Sequence, residues 1–451
     1  MRKLSLLKKW DSLSPYRKLI FGFLVAIFIG VILLKMPFSL RENQNITVID
    51  SLFTIVSAIC VTGLSVVDVS QVFTSTGQLI ILFFIQLGGL GVMTVSIIVF
   101  LLVGKKMSFE TRELLKEERN SNSNGGITKF IKQLLLTVFV IEISGASILT
   151  YGFSKYYSLK RSIFYGLFHS VSAFCNAGFS LFSDNLSGFK NSFLINMTIP
   201  LLIFLGGIGF STILNCYNVL RKKEKKLTLT TKLSIGISVF LVIIGMIAIF
   251  IFEYSNKNTI GNLPFTQKLE ASFFQSVTTR TAGFNTVSIS GLKRSTSLLF
   301  IILMFIGASP GSTGGGIKTT TIGLIILGIF ATLKNKDIIE YDKRCLSWRI
   351  YRKAIAILFI SLIYTSVCVF LLILIEKDKK LLDLAFEVYS AFGTVGLSRD
   401  LTPSLMSISK FILIVTMFVG RVGPLTIALA LSKSKIKKGH YTYPQENILI
   451  G

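Results

Sequence analysis

Val61-Thr62-Gly63-Leu64-Ser65, Asn176-Ala177-Gly178-Phe179-Ser180, Thr281-Ala282-Gly283-Phe284-Asn285 and Thr394-Val395-Gly396-Leu397-Ser398 are one short element written four times. Their central glycines lie 115, 105 and 113 residues apart, which divides the 451-residue chain into four units of similar length. Ten residues before each glycine stands a phenylalanine (Phe53, Phe168, Phe273, Phe386), and thirteen before it an acid in three units (Asp50, Glu270, Asp383) and Tyr165 in the second. Only 38 residues are phenylalanine, so four at one offset mark a repeated structural unit rather than low complexity. Four copies can close around an axis, and an axis is where a pore would lie.

Composition places these units in a membrane. Mean hydropathy is +0.68, apolar residues make up 51% and charged ones 16%, far from a soluble domain's balance. Eight apolar runs are long enough to cross a bilayer as helices, near 18–37, 79–103, 131–153, 193–215, 233–253, 298–330, 353–375 and 411–431. Each glycine turn falls between an odd run and the next even one. The units are therefore 1–103, 131–215, 233–330 and 353–431, followed by a tail at 432–451, and an even number of spans in each makes them parallel repeats. The segments before the glycines (46–59, 161–174, 266–279 and 380–392) are too short to cross and read as re-entrant half-helices. Backbone of that kind survives at membrane depth only where protein or a water-filled cavity satisfies it. The expected fold is an all-α polytopic membrane protein: eight transmembrane helices in four span–pore-helix–span repeats around a pseudo-fourfold central pore.

Basic residues set the orientation. Of 48 Lys and Arg, 30 fall on one side, in the N-terminal segment, the connections 104–132, 216–232 and 332–353, and the tail; 15 fall on the other. The richer side is expected to be cytoplasmic, with both termini inside and the glycine turns opening outward, in the plasma membrane. The formal charge of +26 then reflects topology and contact with anionic lipid, and no soluble basic domain offers a nucleic-acid surface. No small-residue cleavage site follows Arg17-Lys18, so the first run reads as a retained span. Cys60, Cys175, Cys216, Cys345 and Cys368 have no paired spacing, and neither His169 nor His440 has metal-ligand neighbours in sequence.

The chemistry of the turns points to a cation. A dehydrated monovalent cation needs oxygen ligands in place of water, and rings of backbone carbonyls from four loops supply them. Aiming successive carbonyls at one axis needs backbone angles that glycine adopts without steric cost. If the half-helices end at the axis, their partial negative C-termini favour a cation there, while Asp50, Glu270 and Asp383 sit near the opposite ends.

On these residues the chain resembles a known family. Thr394-Val395-Gly396 is similar to the potassium-channel filter signature, and the four degenerate copies resemble the Trk/Ktr/HKT superfamily of potassium transporters. Eight spans without two extra N-terminal ones, and a short tail, are closest to its KtrB-type membrane subunit. The resemblance covers essentially the whole chain. It implies potassium held at Val61, Thr62, Gly63, Asn176, Ala177, Gly178, Thr281, Ala282, Gly283, Thr394, Val395 and Gly396. It also implies a homodimer seated on a cytoplasmic ring of KtrA-type RCK-domain subunits, with nucleotide bound by that partner alone and sodium a candidate activator. In that family glycine in all four units goes with potassium preference, as here. Val61-Thr62, Asn176-Ala177 and Thr281-Ala282 depart from the channel signature and imply a less regular ladder of ion sites.

The run 298–330 is too long for one crossing, and its middle explains why. Gly307-Ala308-Ser309-Pro310-Gly311-Ser312-Thr313-Gly314-Gly315-Gly316-Ile317-Lys318 cannot hold a helix. Small polar residues at that depth must line a cavity or touch protein, and the resemblance makes this intramembrane loop, 307–320, a gate. A phosphate-binding loop is excluded, because Ile317 separates Gly316 from Lys318 and no strand precedes it. Arg421, midway along the last run, is placed against the loop, either guarding the pore by its charge or tying carbonyls beside Pro424. Glu142 is a second intramembrane charge with no partner legible in sequence. Gly88-Gly89-Leu90-Gly91 and Gly206-Gly207-Ile208-Gly209 read as close helix packing. Two alternatives remain at this point. One is a sodium-permeable or poorly selective pathway on the same fold. The other is a membrane-embedded enzyme, which would need clustered His, Asp, Glu or Ser within the spans.

Overall fold

The computed structural model describes residues 15–91, 127–424 and 426–427. The second apolar run beyond 91, most of the basic connection 104–132 and the tail with His440 lie outside the described residues, as does all but Ile427 of the last run after Thr426. The structure is mostly helical. Among the described residues, Ile131–Phe153, Leu229–Glu253 and Trp348–Ile375 are long and apolar enough to cross a membrane. Shorter apolar helices include Ile20–Lys35, Ser75–Leu90, Arg294–Phe305 and Thr319–Leu333.

The long helices are inside-out by the standard of a soluble protein. Ser234, Ser238, Val242, Gly245 and Ile249 share one helical face and are buried, whereas Phe240, Ile244, Ile247 and Ile251 are exposed. Ser361, Thr365, Cys368 and Leu372 repeat the pattern on Trp348–Ile375, with Phe359, Ile363 and Phe370 outward. Small and hydroxyl side chains let helices approach closely where lipid removes any hydrophobic drive between them.

Four half-helices, Val48–Ile59, Leu159–Phe174, Phe265–Thr278 and Leu381–Gly393, lie among these helices. The packing runs round in one sense. Ser75–Leu90 packs on the second half-helix, Phe193–Gly207 on the third, Arg294–Phe305 on the fourth, and Ser407–Val422 returns to the first. Lys410 on that last helix pairs with Asp50 in the first turn of the first half-helix at 2.9 Å, so the end of the chain closes on its beginning.

Gly88, Gly206 and Gly420 make this possible. A Cβ on any of them would overlap a carbonyl at the end of a half-helix, that of Ile59, Phe174 or Phe392 respectively. Gly206→Ala is therefore expected to destabilise the protein by about 1–3 kcal/mol. The check is a lower thermal midpoint in detergent, where a midpoint equal to wild type would contradict the close approach.

The structure corrects the sequence reading at several points. The fourth run is not one continuous helix: Phe193–Gly207 and Phe210–Leu220 meet at 96°. Gly209 stands at φ +93°, and Gly91 and Gly423 end their own helices at +84° and +92°. The double-glycine runs thus break helices as well as pack them. The helix Ser407–Val422 ends at Gly423, beyond which Pro424, Thr426 and Ile427 are helical again, so Arg421 lies in the final turn of its helix rather than midway along one. The fold is not wholly α either. Ile339–Tyr341 and Arg344–Leu346 form an antiparallel hairpin around Asp342 and Lys343, both with positive φ as a two-residue turn requires.

The third unit is one residue out of register. Phe53, Phe168 and Phe386 are fully buried, but their counterpart is Phe274 (1% exposed), while Phe273 is only partly covered. Glu270 accordingly loses its match with Asp50 and Asp383.

Candidate functional site

Each half-helix stops just short of its glycine, and the stop has a common design. Val61, Asn176, Thr281 and Thr394 sit at φ +50°, +58°, +67° and +50°, and the glycines two residues on at +90°, +69°, +78° and +91°. Left-handed backbone costs a non-glycine residue about 1–2 kcal/mol. The helix end compensates for it. Thr62, Ala177 and Val395 donate their N–H back five residues, to Ser57, Ser172 and Ser390 carbonyls at 2.8, 2.7 and 2.8 Å. This is the Schellman bond, made here over a residue other than glycine. In the third unit Ala282 reaches only to Thr278, at 3.0 Å, which is the missing residue of the register shift. A hydroxyl at the same level ties each turn from behind. Ser57 and Ser390 accept from Gly63 and Gly396 N–H at 3.0 and 3.1 Å, and Ser172 and Thr278 donate to Phe179 and Phe284 carbonyls at 2.8 and 2.5 Å.

The four turns meet in a closed ring. A Cβ added to Gly63 would stand 2.5 Å from the Ala177 carbonyl oxygen, on Gly178 2.6 Å from that of Ala282, and on Gly283 2.5 Å from that of Val395; on Gly396 it would overlap that of Thr62. Every glycine thus abuts the carbonyl before the next unit's glycine, and the fourth returns to the first. Val61, Thr62, Asn176, Ala177, Thr281, Ala282, Thr394 and Val395 are all fully buried. Asn176 links neighbours, donating to the Thr281 hydroxyl at 3.0 Å and the Arg280 carbonyl at 3.3 Å.

The loop after Arg294–Phe305 lies against this ring. Gly307 N–H bonds the Ile317 carbonyl at 2.9 Å, closing the loop on itself. Ser309 donates its N–H to Gly207 at 2.9 Å, Thr313 to Gly206 at 3.3 Å and Gly316 to Gly420 at 3.2 Å, while Gly311 accepts from Phe210 N–H at 2.8 Å. The helix ends freed by the glycine breaks are therefore the groups that hold the loop. Gly315 N–H reaches the Thr394 hydroxyl at 2.9 Å, and a Cβ on Gly314 would overlap the Thr281 hydroxyl, so two turn residues touch the loop directly. Pro310 is half-buried at the bend, Ser312 carries a buried hydroxyl with no bonding partner among the described residues, and Lys318 donates to the Gly314 carbonyl at 2.8 Å. Arg421 spans the site. Its Nη1 donates to the Thr313 carbonyl and its Nη2 to the Gly88 carbonyl, joining the loop to the helices of the first and fourth units.

Two charged residues read differently in space. Arg280, counted among the outward-facing basic residues in sequence, is 7% exposed and donates to the Gly307 carbonyl at 3.0 Å. Its only sequence signal was its place directly before Thr281. Glu142 is buried and accepts from Gln86 Nε2 at 3.2 Å. Among the described residues no group of three His, Cys, Asp or Glu could hold a metal ion.

The family described as TrkH, cation transport protein, matches residues 8–438. The chain is 39% identical to the Ktr system potassium uptake protein B of Bacillus subtilis (strain 168), over 98% of both chains. It is 36% identical to the protein of the same name from Vibrio alginolyticus, covering 96% of this chain and 94% of that one. It is also 36% identical to the potassium/sodium uptake protein NtpJ of Enterococcus hirae, over 97% of this chain and 98% of that one. The crystal structure of the potassium transporter TrkH from Vibrio parahaemolyticus superposes with a TM-score of 0.71 at 20% identity, covering 91% of this chain and 85% of that one. All of these are transport proteins, which removes the enzyme alternative. A chain with four glycine turns closed into a ring, matched from residue 8 to residue 438, belongs to the TrkH/Ktr family of membrane cation transport proteins.

Proposed function

We propose that this chain is the ion-conducting membrane subunit of a potassium uptake system, with the four glycine turns as its selectivity filter. The observation that carries this is the closed ring, in which each glycine lies against the carbonyl of the following unit. Successive carbonyls held at one level around an axis are what a dehydrated potassium ion needs. Relatives named for potassium uptake at 36–39% identity support the substrate.

The same reading takes the four units as span–pore-helix–span repeats, eight spans in all, with the turns facing outward and both termini in the cytoplasm. It takes the 307–320 loop as a gate, since its backbone bonds to Thr394 and to the broken helices of the second and fourth units, directly beneath the ring. A cytoplasmic nucleotide-binding partner and a homodimer complete it, in line with relatives named as part of a Ktr system. Sodium permeation on the same fold is the second reading, favoured by the relative named for both ions and by the degenerate turns.

Uptake of rubidium and sodium by a potassium-auxotrophic cell expressing the chain, with and without the partner, tests both. Growth rescue with rubidium far above sodium supports the first; equal uptake supports the second. Deleting Ser309–Gly316 is expected to leave uptake intact or raised and to weaken control by the partner. Loss of all transport from a correctly inserted deletion protein would make the loop a structural element instead.

A further inference from the structure

Behind the ring lies one position that the filter itself does not use. Counted from the buried phenylalanines Phe53, Phe168, Phe274 and Phe386, the next residue of each half-helix is Thr54, His169, Gln275 and Glu387. All four are polar and 1% exposed or less. They divide into two kinds.

Glu387 reaches out of its helix to the chain just beyond Gly396. Ser398 Oγ donates to its Oε1 at 2.5 Å, Arg399 N–H to the same oxygen at 3.2 Å, and Thr402 Oγ1 to Oε2 at 2.6 Å. The Arg399 guanidinium is turned elsewhere, to Asp383 at 2.6 Å, Ser297 at 2.6 Å and the Ile289 and Ser290 carbonyls at 3.2 Å. The carboxylate therefore acts on the segment 398–402 by hydrogen bonds alone. His169 does the same in the second unit. Its Nδ1 lies 2.8 Å from the Tyr165 carbonyl and so must donate, which leaves Nε2 to accept from Leu181 N–H at 3.4 Å and to share the single Ser180 Oγ proton, at 3.1 Å, with the Asn185 carbonyl at 3.2 Å. Phe182 stacks on the ring at 4.9 Å and fixes its plane. Ser180 and Ser398 are the same residue of the repeat, two beyond the glycine.

The first and third units lack this brace. Among the described residues Thr54 bonds only the Asp50 carbonyl of its own helix, at 2.8 Å, and neither amide atom of Gln275 has a partner. Because the ring runs first, second, third, fourth, the two braced units face each other across it.

We propose that Glu387 and His169 are specificity-determining positioning residues, holding the second and fourth turns at fixed spacing through Ser398 and Ser180. This rests on the filter reading above. A carbonyl ring discriminates between cations by how its oxygens are spaced and how far they give. Bracing two opposite turns limits that give along one diameter; along the other, the first and third turns keep only the ties at Ser57 and Thr278 and, in the third, the bonds of Asn185 to the Gly283 carbonyl at 3.4 Å and Asn285 N–H and of Leu186 N–H to the Asn285 carbonyl.

The test is the rubidium-to-sodium uptake ratio of purified, correctly assembled protein in liposomes. Glu387→Gln keeps the shape but replaces one acceptor by a donor, and should lower the ratio about fivefold or more, the scale of one typical lost hydrogen bond. Ser398→Ala and Ser180→Ala should lower it in the same direction, and Glu387→Gln combined with Ser398→Ala should add little. Thr54→Val, at the matching position of an unbraced unit, should keep the wild-type ratio. Gly283→Ser is measured alongside. If it lowers the ratio while the Glu387 and serine variants do not, the brace is overturned and the filter stands; if it too has no effect, both fall. A Thr54→Val ratio as low as that of Glu387→Gln would also overturn the brace, since any change behind the ring would then suffice. Should Glu387→Gln fail to assemble, the two serine variants decide, and wild-type ratios in both reject the proposal.

Discussion

Serine in place of Gly283 is expected to lower the potassium-to-sodium uptake ratio at least about tenfold, a change of ~1.4 kcal/mol in ion discrimination. The backbone at Gly283 has φ +78°, where an L side chain costs about 1–2 kcal/mol. Its Cβ would stand 2.5 Å from the Val395 carbonyl oxygen, well inside contact distance. Val395 cannot retreat freely, because its N–H is held by Ser390 at 2.8 Å. The displacement therefore falls on the carbonyls of the ring, which are the proposed ligands. Gly63→Ser and Gly178→Ser should act in the same direction, and Gly396→Ser most strongly, since its Cβ overlaps the Thr62 carbonyl. Radiolabelled rubidium and sodium uptake, normalised to assembled protein, reads the ratio. Wild-type ratios in all four variants would remove the ring from selectivity.

Arg421→Gln is expected to raise basal uptake tenfold or more. The arginine donates to the Thr313 carbonyl in the loop and to the Gly88 carbonyl across from it, so under the proposed gate its charge sits beside the path that the loop would obstruct. A unit charge at ~5 Å from a passing cation opposes it by about 3 kcal/mol at an effective dielectric of ~20. Glutamine keeps two donors for those carbonyls and removes the charge. The rival reading is a structural tie, under which the same change lowers the amount of folded protein without raising flux per assembled molecule. Uptake per assembled molecule, set beside size-exclusion profiles, separates the two.

Much of the candidate site was legible because its signals are local or strictly periodic. The four turns announced themselves by a glycine at one place in each unit, and the interrupted sixth run by proline and glycines that no helix accommodates. Arg421 was flagged by the cost of a charge in an apolar run. What sequence could not weigh was a choice between two uses of the same residue. A glycine serves both close packing and left-handed backbone, and Gly206-Gly207-Ile208-Gly209 contains both: Gly206 faces the Phe174 carbonyl, and Gly209 breaks the helix. Likewise Phe273 and Phe274 are adjacent candidates, and only burial tells which one aligns with the other units.

Apolar composition, the four spaced glycine turns, the short helices before them and the break at 307–318 could be read from sequence alone. Each follows from hydropathy, spacing or backbone chemistry within a few residues. Tertiary structure decided which unit touches which, and that settled the rest. The helix breaks persist because their freed groups find partners about a hundred residues away, as Phe210 N–H does on Gly311 and the Gly420 carbonyl does on Gly316. Arg280 is buried because the Gly307 carbonyl lies where its guanidinium ends. Burying a polar group costs least when its partner is in place. Pairings of that kind depend on how four units close, which no single unit's sequence encodes.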